Sequence, residues 1–381
     1  MPTIERYREI IRHLEEERAL SREQYALLLT AQDDRVSLWL QQRADAVRRQ
    51  IYGRGIYIRG LIEFTNFCKN DCFYCGIRKS QSVSRYRLTA EQILGCCESG
   101  YALGFRTFVL QGGEDPYWND ERLCSLVSAI SKRYPDCAVT LSVGERSCES
   151  YQKLFAAGAD RYLLRHETAD PSHYSQLHPE QMQLASRLHC LKTLKAIGFQ
   201  TGCGFMVGSP GQTVEHIVED LEFIRKFDPE MVGIGPFLPA SGTPFQSQPP
   251  GSVELTLRLI SIIRLMLPRV LLPATTALGT AEEDGRQRGI QAGANVVMPN
   301  LSPEDVREKY QLYDNKPCLD DEPTHCASCL ERRIESRGRL VGWNMSGSSR
   351  RFLRRVGRPD EVRPIKEFTA EGKRLIRLHS V

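Results

Sequence analysis

The sequence predicts an α/β protein: a closed (βα)8 barrel of the TIM type, with N-terminal helices and a C-terminal extension. From residue 56 onward, short apolar runs alternate with longer helical segments, the pattern of βα units around a parallel sheet. Polar and glycine-rich residues follow these runs in order, as expected where barrel strands end. We therefore expect a helical segment over 1–55, the barrel over 56–300 and the extension over 301–381.

The first fifty residues are predicted to be helical. The stretch 5–20 is charged with an apolar stripe, and Ser21 to Gln24 has the spacing of a capping box ahead of an apolar run. The stretch 34–51 repeats apolar residues at roughly helical intervals.

Eight strands and seven intervening helices are predicted for the barrel. The strands are 60–66, 107–111, 138–142, 161–165, 200–206, 231–235, 271–274 and 295–298. The helices are 89–98, 120–133, 148–157, 181–197, 213–227, 253–267 and 282–292. Polar or glycine-rich groups follow at 111–115, 142–145, 165–168, 207–211, 235–237, 274–276 and 298–300. In a barrel these groups meet at one face, where active sites lie.

Three cysteines after the first strand are the main chemical signal. Cys68, Cys72 and Cys75 have the spacing C-x3-C-x2-C. Three thiolates can hold three irons of a four-iron cluster and leave the fourth iron open for substrate chemistry. The alternative is structural zinc, which prefers a closed shell of four ligands, and the next cysteine is only at Cys96.

A second cysteine group lies beyond the last strand. Cys318, Cys326 and Cys329 give C-x7-C-x2-C, and the acidic residues and His325 between them offer a fourth ligand. A second iron–sulfur cluster ([2Fe-2S] or [4Fe-4S]), a zinc ion and unligated thiols all remain open. The other seven cysteines are expected to be packed thiols.

Composition limits the classes of protein to which this chain can belong. Thirteen cysteines, an odd count, and a polar, charged start suit metal-bound thiolates in a reducing cytoplasm better than a disulfide framework. The most apolar stretch, 255–272, is interrupted by three arginines, so no membrane span is expected. From Glu331 onward 14 Lys and Arg face 6 Asp and Glu. Such runs are usually solvated surface, and no nucleic-acid partner is expected.

The cysteine spacing is the signature of the radical S-adenosylmethionine (SAM) enzymes, and the surrounding strings narrow the resemblance. Residues 59–68, 75–78, 111–116, 163–168, 231–237, 273–280 and 293–300 resemble the HydE maturases of [FeFe]-hydrogenase, in the biotin synthase-like branch of the superfamily. The resemblance covers about residues 5 to 345. The second cysteine spacing occurs in a subset of HydE sequences, and the resemblance implies that the extra cluster is dispensable for maturation.

The resemblance implies a function and partners. HydE-type enzymes are monomeric radical SAM barrels in which SAM chelates the open iron and is cleaved to a 5'-deoxyadenosyl radical. They help to build the di-iron subcluster of the hydrogenase, together with HydG and the scaffold HydF, and they need a reductant protein. Their substrate is expected to be a small cysteine-bound iron carbonyl cyanide unit made by HydG, attacked at sulfur.

The resemblance also implies roles for single residues. Cys68, Cys72 and Cys75 would hold the cluster. The SAM-binding residues would be Tyr74 beside the adenine, Gly112, Gly113 and Glu114 at the amino group, Glu167 at the sulfonium or ribose, and Arg187 at the carboxylate. The substrate candidates are Gln111, Arg165, Thr275, Thr276 and Met298, with Tyr310 and Tyr313 capping the barrel mouth. Strand alternation should point Glu167 inward and leave His166 structural.

Two other interpretations stay open. One keeps the radical chemistry but inserts sulfur, as biotin synthase does, or rearranges a carbon skeleton, as methylornithine synthase does. Cys137 and Cys203, in or near predicted strands, leave in-barrel cluster ligands possible on spacing alone. The other is a non-enzymatic iron–sulfur scaffold or zinc-stabilised interaction protein, which would leave the strand-end motifs without a role.

Overall fold

The structure, a computed structural model, describes residues 2–316, 329, 331–336, 338–343 and 345. Its helices are α1 (Ile4–Glu17), α2 (Arg22–Thr30), α3 (Asp34–Tyr52), α4 (Ala90–Ala102), α5 (Asp120–Arg133), α6 (Cys148–Ala157), α7 (Pro171–Leu177), α8 (Leu184–Ile197), α9 (Val214–Phe227), α10 (Val253–Met266), α11 (Thr276–Ala281), α12 (Gly285–Gln291) and α13 (Glu304–Arg307). Its strands are β1 (Gly55–Ile58), β2 (Gly60–Thr65), β3 (Thr107–Gly112), β4 (Ala138–Ser142), β5 (Arg161–Leu163), β6 (Gln200–Cys203), β7 (Met206–Val207), β8 (Met231–Val232), β9 (Gly235–Pro236), β10 (Val296–Val297) and β11 (Leu340–Gly342).

A parallel sheet forms the centre of the fold. Six strands pair in the order β2-β3-β4-β5-β6-β8, and every pairing is parallel. Isolated parallel bridges continue the ladder from Met231 to Leu271 and from Pro273 to Val296. The strand β10 then pairs with β1, which leads directly into β2. The eight predicted barrel positions therefore follow one another around a ring, and the α/β barrel prediction is confirmed.

Strand alternation divides the barrel into an outer and an inner layer. Alternate strand residues such as Ile62, Phe108 and Val232 are buried in the large core beneath the surrounding helices. The intervening residues face the interior. Among these are Glu63 and Gln111, so the polar groups of the interior come from the same strands as the apolar core.

The three N-terminal helices pack on the outside of the barrel, as the prediction of an all-helical start required. A capping box at Ser21 and Gln24 begins α2, since each side chain accepts from the other residue's backbone N–H. The stripe Val36, Leu40, Ala44 and Val47 of α3 is buried, and α3 packs mainly against α10. None of the helices in the described part of the chain is both long and apolar enough to cross a bilayer.

Several predicted strands differ from the structure. The predicted strand 231–235 divides into β8 and β9, and 271–274 forms only isolated bridges at Leu271 and Pro273. The predicted strand 161–165 ends at Leu163, and Glu167, four residues further on, lies at φ 66°, in the left-handed region. The predicted strand 200–206 divides into β6 and β7 at Gly204, whose φ is 153°. The sequence also missed the short helices α7 and α11, which lack a long apolar stripe.

The residues after the last barrel strand return across its mouth. Gln311 to Lys316, here called the strap, lies on the cysteine loop, and the Gly76 N–H donates to the Leu312 carbonyl at 2.9 Å. Asp314 accepts from the Ser241 backbone N–H and hydroxyl at 2.6–3.1 Å. Of the second cysteine group, Cys318 and Cys326 lie outside the described residues.

Candidate active site

The loop after β2 carries the three predicted ligands, and one arginine organises it. Cys68, Cys72 and Cys75 are half-buried and not in disulfides. The Arg85 guanidinium donates to four backbone carbonyls of the loop and its end, at 2.5–3.0 Å; these are the carbonyls of Asn66, Ile77, Arg78 and Gln81. The Arg85 guanidinium, in the centre of the turn, thus donates to backbone carbonyls that hydrogen bonds between β-strands could not satisfy.

A buried carboxylate fixes the start of the same loop. Asp115 accepts from the Thr65 hydroxyl at 2.7 Å and from Arg87 through two bonds of 2.7 and 3.0 Å. The Arg87 guanidinium lies 3.6 Å from the centre of the Phe67 ring, directly before Cys68. Because Asp115 is buried and Arg87 is only partly exposed, this bidentate pair is held in one geometry.

Burial controls the protonation of the thiols. Burial raises the pKa of Cys75 to about 12 and moves the pKa of Cys68 and Cys72 above the ordinary value. Neighbouring thiolates add repulsion for Cys72 and Cys75. In the metal-free protein the thiols therefore hold their protons at neutral pH, and metal binding must displace them.

The end of β3 packs tightly on this loop. A Cβ at Gly113 would lie 2.3 Å from the Phe67 carbonyl oxygen and 2.7 Å from Cys68 Cβ, and one at Gly112 would lie 2.7 Å from Thr65 Cγ2. Glu114 accepts from the Glu145 N–H at 2.9 Å and pairs with Lys69 at 3.2 Å. The predicted Gly112, Gly113 and Glu114 thus form a close backbone surface beside Cys68.

The end of β5 brings Arg165 and Glu167 together. Arg165 Nη2 lies 2.9 Å from Glu167 Oε2, but the angles are not those of a hydrogen bond. Both atoms, and Arg165 Nε, therefore keep unused hydrogen-bonding capacity among the described residues. A non-glycine residue held at positive φ, as Glu167 is, is typical of functional sites.

His166 has the structural role expected for it. Its Nδ1 accepts from the Gly204 N–H at 3.2 Å, so Nε2 carries the proton and donates to Asp220 at 3.2 Å. Burial lowers the pKa of His166 to about 3, and the ring is neutral. It packs between Phe205 and Phe223, on the helix side of the barrel wall.

Arg187 lies in the site but is already engaged. Its Nε donates to Glu145 at 2.5 Å and its Nη1 donates to the Arg165 carbonyl at 2.7 Å. The side chain is 9 % exposed, so Arg187 is not a solvent-exposed arginine on the helix surface. The sequence predictions did not include Glu145, although it closes the polar group 142–145 at the end of β4.

Tyr74 is held by a helix that the sequence missed. Its hydroxyl lies 3.2 Å from His178 Nε2, and His178 Nδ1 lies 2.9 Å from the Tyr174 carbonyl. Since a carbonyl only accepts, Nδ1 carries the proton and the Tyr74 hydroxyl donates to Nε2. The Phe73 N–H also donates to the Leu177 carbonyl at 3.0 Å, so the end of α7 fixes the middle of the cysteine loop.

The substrate candidates lie around the barrel interior and its mouth. Gln111 donates to the Tyr310 hydroxyl at 3.4 Å, and the Thr275 hydroxyl is buried with no hydrogen-bond partner among the described residues. Met298 packs with the interior residues Met231 and Val296. Thr276 begins α11 and Tyr313 lies in the strap, half-buried, so both are at the mouth rather than inside.

One wall of the interior lacks side chains. Gly202, Gly204, Gly233 and Gly235 occupy its inward positions on neighbouring strands. A Cβ at Gly233 would meet only Leu163 Cδ1, at 4.0 Å, among the described atoms. Space therefore opens into the barrel at Gly233, whereas a Cβ at Gly202, Gly204 or Gly235 would lie 2.0–2.8 Å from neighbouring atoms.

A buried ion pair at the mouth is the largest feature that the sequence predictions missed. The Lys316 ammonium lies 2.5 and 2.7 Å from the Glu63 carboxylate oxygens, and Asn300 donates to the same carboxylate at 2.8 Å. Glu63 is 2 % exposed. A lone carboxylate at an inward position of an otherwise apolar strand was the available signal.

The donor set fits a cluster better than a single ion. Among the described residues, no three His, Cys, Asp or Glu side chains are arranged around one metal ion. In a cluster each cysteine binds a different iron, so three half-buried thiols on one braced loop suit it. The absence of a side chain at Gly113 lets the backbone at the end of β3 approach the loop directly beside Cys68.

Comparisons with known proteins agree with this geometry. Residues 62–224 match the family model described as the Radical SAM superfamily. The chain is 43% identical over 346 residues to the [FeFe] hydrogenase maturase subunit HydE of Thermotoga maritima, covering 91% of this chain and 98% of that protein. Its fold resembles the crystal structure of methylornithine synthase (PylB), with TM-score 0.78 and 28% identity over 87% of this chain and 97% of that one.

A third comparison concerns the fold alone. The maturase HydG from Carboxydothermus hydrogenoformans superposes with TM-score 0.75 at 19% identity, covering 98% of this chain and 94% of that chain.

The barrel, the cysteine loop and the matched family model define a radical SAM enzyme. Such enzymes use a [4Fe-4S] cluster and SAM. Within that superfamily the chain belongs to the HydE family.

Proposed function

We propose that this chain is a maturase of [FeFe]-hydrogenase that uses radical SAM chemistry on a small cysteine-bound iron carbonyl cyanide substrate inside its barrel. The observation that carries the proposal is the 43% identity to HydE across 98% of that protein. The geometry supports it, because unsatisfied polar groups lie between a braced cysteine loop and a barrel interior that has open space at Gly233.

The cofactor roles are those that the resemblance implies, and the positions of the residues at the top of the barrel are compatible with them. When bound, the cluster and SAM supply a one-electron cleavage of the sulfonium that yields a carbon radical. Cys68, Cys72 and Cys75 would hold the cluster. Gly112, Gly113 and Glu114 would receive the amino group of SAM, Glu167 its cationic sulfonium or a ribose hydroxyl, and Arg187 its carboxylate, with Tyr74 beside the adenine.

Two of the residues that would bind SAM are held in place by other side chains of the protein. Glu145 holds Arg187 through a 2.5 Å bond, so the guanidinium keeps one orientation. His178 does the same for Tyr74. The strap packs on the same loop, where the Gly76 N–H donates to the Leu312 carbonyl at 2.9 Å.

The substrate would lie below, in the barrel. An anionic cyanide complex needs donors and a positive charge, and Arg165 offers unused N–H groups and a cation. Gln111, Thr275, Thr276 and Met298 would line the rest of the interior, and Tyr310 and Tyr313 would cap the mouth.

The substitution Arg165→Lys keeps the positive charge but removes the planar guanidinium, which can donate two parallel hydrogen bonds. We therefore expect a loss of maturation activity of about tenfold or more. Full activity would contradict the anchoring role.

Maturation in a purified system tests the proposal. Apo-[FeFe]-hydrogenase is incubated anaerobically with HydG, HydF, a reductant and SAM, with and without this protein, and hydrogen production is measured. Cys72→Ala removes a ligand, and Cys148→Ala, at an exposed cysteine on α6, is the matched control. Hydrogen production should require the wild-type protein, survive the control and vanish with Cys72→Ala. No gain with SAM still cleaved would contradict the maturase assignment but keep the radical enzyme.

A second enzyme function rests on the likeness to methylornithine synthase, a skeletal rearrangement of a small molecule. The sulfur-insertion alternative has less support. Cys137 and Cys203 are fully buried on the helix side of strand alternation, and the Cys137 thiol donates to the Phe105 carbonyl at 3.8 Å. Neither faces the interior, where a sacrificial cluster would need ligands.

The second cysteine group forms a separate proposal. Its spacing supports a second iron–sulfur cluster held by Cys318, Cys326 and Cys329. Iron and zinc counts on the purified wild type and on the triple alanine variant test it. The iron count should fall; a fall in zinc alone would indicate zinc, and no change in either metal would remove the site.

A further inference from the structure

Tyr174, on α7, has a buried hydroxyl that no described group satisfies. The residue is 1 % exposed, and its hydroxyl oxygen has no hydrogen-bond partner among the described residues. Buried tyrosine hydroxyls nearly always find a partner, because an unsatisfied polar group is costly. The unsatisfied hydroxyl of Tyr174 therefore either destabilises the protein without benefit or serves as a hydrogen-bond donor for a ligand.

The ring of Tyr174 cannot turn to find another partner. It stacks on His178 with centroids 4.0 Å apart and planes at 21°. His178 is fixed in turn by its bonds to the Tyr174 carbonyl and to the Tyr74 hydroxyl. The hydroxyl is consequently held in one place by the same contacts that position the cysteine loop.

Its surroundings identify the kind of ligand. The charged or ionisable groups that act on Tyr174 are those of the candidate site: Arg187, Glu145, Cys72 and Glu167. Arg187 has two of its nitrogens engaged, by Glu145 and by the Arg165 carbonyl. A buried hydroxyl donor within the electrostatic range of a guanidinium is suited to a carboxylate, since both groups donate and one carries positive charge.

We propose that the Tyr174 hydroxyl donates a hydrogen bond to the carboxylate of SAM, beside Arg187. The inference rests on the proposed function, because it takes this site to be where SAM binds. Carboxylate is the anionic group of SAM, and the hydroxyl and guanidinium together would fix it from two directions. Tyr174 is then a cofactor-binding residue, and His178 positions both it and Tyr74.

The substitution Tyr174→Phe tests the proposal by removing a single atom. The ring and its stacking remain, so the fold should be kept. Tyr134→Phe is the matched control, because Tyr134 also has a buried hydroxyl without a described partner, but it packs against Phe108 and Tyr101, outside the site. Both variants should unfold at the wild-type temperature or slightly above it, since each loses an unsatisfied group.

The measurement is equilibrium binding to the cluster-loaded protein, with the EPR signal of the reduced cluster as a second readout. For SAM, Tyr174→Phe should raise Kd by about tenfold or more, as loss of a bond to a charged group does, while Tyr134→Phe leaves it unchanged. For 5'-methylthioadenosine, which has the ribose and adenine but no carboxylate, both variants should bind like the wild type.

Each other outcome has a definite meaning. Wild-type SAM affinity in Tyr174→Phe would overturn the inference. An equal loss for SAM and 5'-methylthioadenosine would also overturn it, because the hydroxyl would then contact the ribose. Failure of the cluster-loaded wild type to bind SAM would instead contradict the proposed function and leave Tyr174 with no ligand of this kind.

Discussion

Replacing Gly113 by alanine should move the cysteine loop without unfolding the barrel. The added Cβ would lie 2.3 Å from the Phe67 carbonyl oxygen. Carbon and oxygen approach to about 3.3 Å at closest, so roughly 1 Å of displacement is required. Because Gly112 is paired with Thr65 in the ladder, the strand end resists the change and the loop at Cys68 moves instead.

The size of the effect follows from that displacement. Overpacking costs about 1–3 kcal/mol, which a barrel of this size tolerates. A shift of about 1 Å at a reacting centre costs on the order of a hundredfold in rate. We therefore expect Gly113→Ala to keep its circular dichroism, to hold less iron per chain and to cleave SAM about a hundredfold more slowly.

Gly95→Ala is the matched control for that variant. Gly95 lies inside α4, and a Cβ there would meet nothing within 4 Å. Alanine is preferred over glycine in a helix by about 1 kcal/mol, so this variant should be slightly more stable and fully active. A Gly113→Ala protein with wild-type iron content, SAM affinity and cleavage rate would show that the close approach has no role.

Three further outcomes are expected. Gly233→Val should fold normally, since Gly233 faces open space, but should lose maturation activity while SAM cleavage without substrate persists. Lys316→Met should lower the free energy of unfolding by about 3–5 kcal/mol in urea titrations, because Glu63 is left charged and buried; adding Glu63→Gln should recover most of the loss. Burial lowers the pKa of His178 to about 3, below its unfolded value of 6.5. The folded state then binds fewer protons, so stability is complete above pH 6.5 and falls as the pH drops towards 3, by about 2 kcal/mol at pH 5 from this residue. Thermal unfolding between pH 5 and 7 should show a shallower slope for His178→Gln than for the wild type; equal slopes in the two proteins would contradict the assignment.

The sequence predicted the features of the fold and of the site that depend on local residue patterns. The apolar runs gave the barrel strands in order, and the spacing of Cys68, Cys72 and Cys75 placed three thiols on one loop. The strand ends also identified Arg165 and Glu167, which the structure brings within 2.9 Å of each other.

The sequence could not predict contacts between distant segments. Lys316 and Glu63 are 253 positions apart, and no periodicity connects them. His178 lies on a loop after a seven-residue helix, and its bond to Tyr74 arises only when α7 packs on the cysteine loop. Arg187 was expected to bind a ligand, but two of its three nitrogens donate to Glu145 and to the Arg165 carbonyl, contacts that only the fold creates.

Two positions in the barrel control two different properties that enzymes usually adjust together. Gly233, directly after β8, faces open space, whereas Arg165, after β5, supplies the charge. A larger residue at Gly233 would reduce the volume of an acceptable substrate and leave its electrostatic recognition intact. At Gly202, Gly204 and Gly235 an added Cβ would lie 2.0–2.8 Å from neighbouring atoms, so these positions are already enclosed. A related barrel could thus accept a smaller compound through one change that does not touch the cysteine loop.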